Sequence, residues 1–175
     1  MNSYMENSET CQSCEFDENL RILREIPFFS GLPLEALKVL AYLCTRETFK
    51  PDDLLFSQND DDGRAIYILS GKATLLHQTD AGDLEVRTFG SGDFLGGMVL
   101  MGNMRRVFSL KASTDMSCII LTRKKFAKVM EQFPELTPKI LKALIEGLRV
   151  WEERFLSNFD HCCESCRNKI GVSLV

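Results

Sequence analysis

Seven cysteines stand in a chain of 175 residues, and four of them form two C-x-x-C pairs, Cys11 with Cys14 and Cys163 with Cys166. Two intervening residues let both thiolates reach one ion, so two such pairs are the donor set of a four-thiolate zinc site or an iron–sulfur cluster. The pairs lie at opposite ends of the chain, so the fold, or a second copy of it, has to bring them together. In a reducing compartment, paired cysteines point to metal or redox chemistry ahead of a disulfide framework. Three readings stay open, in this order: a metal site at Cys11, Cys14, Cys163 and Cys166; free thiols on two tails; a disulfide between subunits, for which Cys162 is placed if the last helix continues past 158. Cys44 and Cys118 sit alone in apolar stretches and read as core residues.

Little else in the chain has the makings of catalysis. It contains no G-x-S-x-G, no P-loop, no dinucleotide fingerprint and no paired histidines beside a carboxylate. His77 and His161 are isolated, and the acidic run Asp60-Asp61-Asp62 reads as a solvated loop between strands. The chain is therefore read as non-catalytic. A net charge of −4 and a pI near 5.3 argue against a general phosphate-backbone binder. No apolar run approaches the roughly 20 residues that cross a bilayer. The first 20 residues carry five acids and no base, which excludes a secretory or transit signal there. A cytoplasmic location is the default expectation.

The elements that must position any site follow from the hydrophobic period. Residues 1–16 read as an acidic, cysteine-bearing tail. Leu20, Ile22, Leu23 and Ile26 recur at helical spacing over 17–26, and Pro27 ends that helix. A second helix spans 32–43. From Thr45 the period shortens to two, and apolar runs at 45–49, 54–57, 65–69, 73–77, 84–89, 107–111 and 116–121 are separated by turn residues. Thr79 to Asp83 reads as a hairpin tip. Helical spacing returns over 123–133, and a longer helix is expected over 135–158. On it Leu141, Leu144, Leu148, Trp151 and Phe155 make a heptad seam, while Ile140, Ile145, Leu156 and Phe159 make a second stripe to cover the barrel. The expected fold is mainly β with flanking helices. Residues 17–134 form a β-roll, 135–158 a helix pairing two copies through 141–155, and 159–175 a cysteine-rich tail.

Helices, about eight short strands and two further helices is the order of the cyclic-nucleotide-binding domain, a double-stranded β-helix of jelly-roll type. The local sequence resembles it too, over residues 20–158. LREIPFFSGLP resembles the leading segment, FKPDDLLFSQND the first strand pair, IYILSGKATLL the strand ending in a Gly turn, and ILTRKKFAKVMEQFPEL the exit helix. GSGDFLGG followed by LKA resembles the phosphate-binding cassette, and residues 96–112 align to it without a gap. The resemblance implies that Gly96 lets the backbone approach the ligand, and that Arg106 pairs with its phosphate. Gly97 stands in place of the ribose-binding Glu, Val107 in place of a Ser or Thr, and Phe108 in place of a small residue. Asn59 replaces a turn Gly, and Asn tolerates a left-handed turn. The lost ribose contact is worth roughly 1.5–3 kcal/mol and the lost hydroxyl about 0.5–1.5 kcal/mol. Together they weaken ordinary cyclic AMP or cyclic GMP by a factor on the order of 10²–10³. The expected pocket is lined by Gly96, Gly97, Met98, Arg106 and Val107. It takes a cyclic nucleotide or another small anion, or else is vestigial in a structural or metal-binding dimer. Superfamily relatives hold an iron–sulfur cluster on N-terminal cysteines of different spacing, which carries over only the idea of a metal or redox input. Only about 17 residues follow Asn158, too few for the family's helix-turn-helix. The chain is thus expected not to bind DNA by itself, and to signal through an output protein not identified by the sequence.

Overall fold

The computed structural model describes the backbone of residues 3–157 and the side chains of 14–153. Helix α1 (Ser3–Glu25) leads through a 3-10 turn at Pro27–Phe29 into α2 (Leu34–Leu43). Eight strands follow: β1 (Thr45–Phe49), β2 (Leu54–Phe56), β3 (Arg64–Ser70), β4 (Lys72–Thr79), β5 (Gly82–Gly90), β6 (Phe94–Leu95), β7 (Ser109–Ala112) and β8 (Met116–Thr122). A 3-10 turn at Met98–Leu100 lies between β6 and β7, and α3 (Arg123–Gln132) and α4 (Thr137–Ser157) close the chain. The strands form two antiparallel four-stranded sheets, ordered β1-β8-β3-β6 and β2-β7-β4-β5. This is the expected β-roll with flanking helices. None of the described helices is long and apolar enough to cross a membrane.

The two-residue period of β8 divides the interior. Ile119 and Leu121 face the helices, where they join Leu23, Phe29, Leu40, Phe126, Val129 and Ile140. Met116, Cys118 and Ile120 face the other way, into the roll, against Ile66, Ile68, Ala73 and Leu110. Strand β3 alternates likewise, with Ala65 toward the helices and Ile66 and Ile68 inside.

Some expectations are corrected. The helix expected from 17 starts at Ser3, so 1–16 is not simply a tail. Its first turns lack an apolar stripe in the sequence, so the period gives no sign of them. Strand β6 was not expected, because two residues carry no period. On α4 the roles of two residues are exchanged: Leu144 packs on the helical core, and Ile145 is exposed beside Leu141, Leu148 and Trp151. Periodicity identifies stripes, but the neighbouring element decides which one is covered.

Cys118 is fully buried, and burial pushes its thiol up to about 11 from an ordinary value of 9.0. A thiol held protonated in the fold stabilises it below the unfolded-chain value, and that contribution is lost as pH climbs from about 9 to 11. Stability should therefore fall across this window, and less so in Cys118→Ala, as read by thermal melts at stepped pH. At pH 8 an alkylating reagent should label exposed Cys14 and leave Cys118 untouched until the chain unfolds.

Candidate functional site

The site begins where β6 ends. Gly96 has φ +86, and a Cβ there would lie 2.9 Å from the Arg64 carbonyl oxygen and 3.1 Å from Arg106 Nη1. Only glycine fits both the left-handed backbone and the space. The chain then turns through Gly97 into the 3-10 turn at Met98–Leu100. A Cβ on Gly97 would already lie 3.0 Å from Phe28 Cδ2 and 3.2 Å from Phe94 Cε1. The rings of Phe28 and Phe94, themselves packed together with centroids 5.9 Å apart, therefore crowd any side chain at 97.

Arg106 is only 8% exposed. Its Nε donates to Asp62 Oδ1 at 2.8 Å and its Nη2 to Asp62 Oδ2 at 3.1 Å, a bidentate fork. Nη2 also donates to the Arg64 carbonyl, and the guanidinium lies 3.9 Å from the centroid of the Phe56 ring. The backbone holds the same loop: Arg106 N–H donates to Asp60 O and Asn59 N–H to Arg106 O, both at 2.8 Å. Asn59 adopts φ +71, the left-handed turn that its side chain tolerates. Nη1 makes no hydrogen bond among the described residues and is aimed at the Gly96 turn.

Beneath that turn lies a cavity of about 230 Å³. Gly96, Gly97, Met98, Arg106 and Val107 all line it, together with Phe108, so the structure brings the five sequence-derived residues to one place. Val107 sits at the rim, largely exposed, while Phe108 packs edge-on against His77 with centroids 5.5 Å apart.

Three functional-looking residues escaped sequence reading: Asp61, Asp62 and Arg123. Asp61 and Asp62 are not a freely solvated loop, because each holds an arginine. Arg123, the first residue of α3, donates from Nε to Val99 O at 2.6 Å and from Nη1 to Asn103 Oδ1 at 2.9 Å, and it also pairs with Asp61. Its hydrogen bond holds the Asp61 carboxyl below the usual carboxylate range. One side chain thus ties the exit helix to the cassette and to the loop that carries Asp62. The only sequence signal was three consecutive acids near a turn, which does not say what they pair with.

The cysteines are not brought together among the described residues. Cys11 and Cys14 lie three apart on α1, Cys14 is an exposed free thiol, and Cys163 and Cys166 lie outside the described residues, as does Cys162. No group of three or more His, Cys, Asp or Glu side chains placed to hold a metal exists among the described residues.

Comparison with known proteins decides the family: the model of the cyclic nucleotide-binding domain matches residues 46–133. The chain belongs to that family. Its members are non-catalytic ligand-binding regulatory modules. A cAMP-dependent protein kinase regulatory subunit of Hypocrea atroviridis is 30% identical over 110 residues, covering 62% of this chain and 22% of that protein. The chain thus spans about a fifth of the length of that relative. A cyclic nucleotide-binding-like protein of Brucella abortus superposes with a TM-score of 0.60 at 28% identity, over 65% of this chain and 98% of that one. The N-terminal domain of a Streptomyces coelicolor transcriptional regulator gives 0.66 at 22% identity, over 75% and 95%. The second likeness shows the fold alone. In this cyclic nucleotide-binding regulatory domain, Gly97 follows the Gly96 turn and Val107 follows Arg106.

Proposed function

We propose that the cavity beneath Gly96 binds a small anionic ligand, cyclic-nucleotide-like in its charge, and that occupancy is passed to the exit helices. The observation that carries this reading is Arg106: buried, gripped on one edge by Asp62, with Nη1 left over and directed at the turn. An arginine held in this way is preorganised, so little side-chain entropy is lost when an anion arrives. Arg123 offers the route outward, since it grips the cassette and begins α3. Ordinary cyclic AMP is a weak ligand in this reading, because neither Gly97 nor Val107 can offer a polar side chain to the sugar or phosphate.

Titration calorimetry with cyclic AMP, cyclic GMP and cyclic dinucleotides tests this. The expected result is binding of at least one at micromolar or weaker affinity, lost in Arg106→Gln. Binding unchanged in that variant sinks the reading; absence of binding by all of them restricts it to small anions without a ribose. A specific observation favours a second reading, a vestigial pocket in a structural dimer: Asp62 already neutralises Arg106 from within the fold.

Signalling in this proposal runs through a homodimer joined along α4 over residues 141–155, read out by a separate output protein. Support comes from the exposed stripe of Leu141, Ile145, Leu148 and Trp151, each between 42% and 62% accessible and spaced four, three and three residues apart. Leu148→Glu should shift sedimentation from dimer to monomer at micromolar concentration without moving the fold's circular dichroism. A wild-type chain that sediments as a monomer removes the dimer from the proposal.

A further inference from the structure

The lining of the Arg106 cavity has a chemical bias that the family assignment does not supply. None of its side chains is a carboxylate, a hydroxyl or an amide. Leu75, Leu95, Met98, Met104, Val107 and Phe108 make its walls, and the only polar side chains are the guanidiniums of Arg106 and Arg105. A ligand rich in hydroxyls would bury them against carbon, and unpaired polar groups weaken binding. An apolar body would instead gain from leaving water. The charge is limited as well. Asp62 balances the single positive charge of Arg106 and Asp61 pairs with Arg123, so among the lining residues the exposed Arg105 supplies one net positive charge, which matches a monoanion and not a dianion. The cavity of about 230 Å³ is small beside the roughly 300–1,000 Å³ of drug-sized sites.

We propose that this pocket selects a compact monoanion carried on an apolar body, such as an aromatic carboxylate, with its charged end on Arg106 Nη1 and its rings against Met98, Met104 and Phe108. This rests on the functional reading above and narrows its ligand class. Carboxylate, sulfonate and cyclic phosphodiester share the single charge; the apolar body separates them from a ribose-bearing nucleotide.

The full chain is titrated with 2-naphthoate, with uncharged 2-naphthalenemethanol, with acetate and with cyclic AMP. The expected result is one naphthoate per chain, bound about tenfold or more tighter than the alcohol because a charge-assisted hydrogen bond is lost without the carboxylate. Acetate should bind about a hundredfold or more weaker, having no body to bury. Arg106→Gln should abolish the difference between acid and alcohol. Since that arginine is also structural, Val107→Asp serves as the second variant: it puts a like charge at the exposed rim and should weaken naphthoate about tenfold with the melting temperature unchanged. Equal binding of acid and alcohol, or naphthoate indifferent to both variants, overturns the proposal. Cyclic AMP binding with no naphthoate binding overturns it too, while leaving the broader functional reading in place. No binding by any of the four removes both.

Discussion

Gly71→Ala should cost about 3–6 kcal/mol, a large part of the roughly 5–15 kcal/mol that holds a domain of this size together. Gly71 has φ +90 between β3 and β4, and a Cβ there would lie 2.3 Å from the Asp115 carbonyl oxygen and 2.9 Å from Met116 Cα. Both obstacles are backbone, so no flexible side-chain end can yield. Relief requires the β3–β4 turn to separate from the β7–β8 turn. Those turns are stitched together by Lys72 N–H to Thr114 Oγ1 at 3.0 Å and Ser113 N–H to Lys72 O at 2.8 Å. The substitution therefore pairs an unfavourable backbone conformation with broken bonds between the two turns. Urea unfolding followed by circular dichroism gives the measurement. A midpoint shifted by less than the equivalent of about 0.5 kcal/mol would mean that the two turns move apart freely.

The second large effect is Arg106→Ala. It removes the fork to Asp62, the bond to the Arg64 carbonyl and the packing over Phe56, and it strands a carboxylate only 16% exposed. Breaking a buried pair from one side costs about 3–5 kcal/mol, because the remaining charge is left uncompensated. The double variant Arg106→Ala with Asp62→Ala should regain part of that loss, and the coupling should exceed about 1 kcal/mol. Additive single effects would show that the pair contributes no mutual energy. The same two variants distinguish a ligand anchor from a structural bridge. If the double variant is as stable as wild type yet binds no anion, the arginine is kept for the ligand.

These two residues also mark how far the sequence could be read. The strands were legible because turn residues punctuate them, and Ser70-Gly71 was one such punctuation. The reason for that glycine was not legible, since the atom it avoids belongs to Asp115, on a turn between later strands. Arg106 was legible from the cassette's spacing, but its partner Asp62 lies 44 positions away and looked like a solvated acid. Gly97 read as a missing ribose contact; Phe28 and Phe94 give it a packing reason instead. Arg123 carried no motif at all, and its importance comes from joining three segments that only the folded chain brings side by side. Helical stripes on α4 were visible, yet Leu144 and Ile145 exchanged roles because a period does not name the surface that covers it.

Strand β8 gives alternate side chains to two separate interiors, one under the helices and one inside the roll. A slip of one residue in its pairing would exchange the two sets wholesale, so neither interior can form in a shifted alignment while the other stays correct. Helices and barrel are therefore expected to melt in one step. Amide exchange along β8 should proceed only through complete opening of the molecule, while the outlying β4–β5 hairpin exchanges by local fraying.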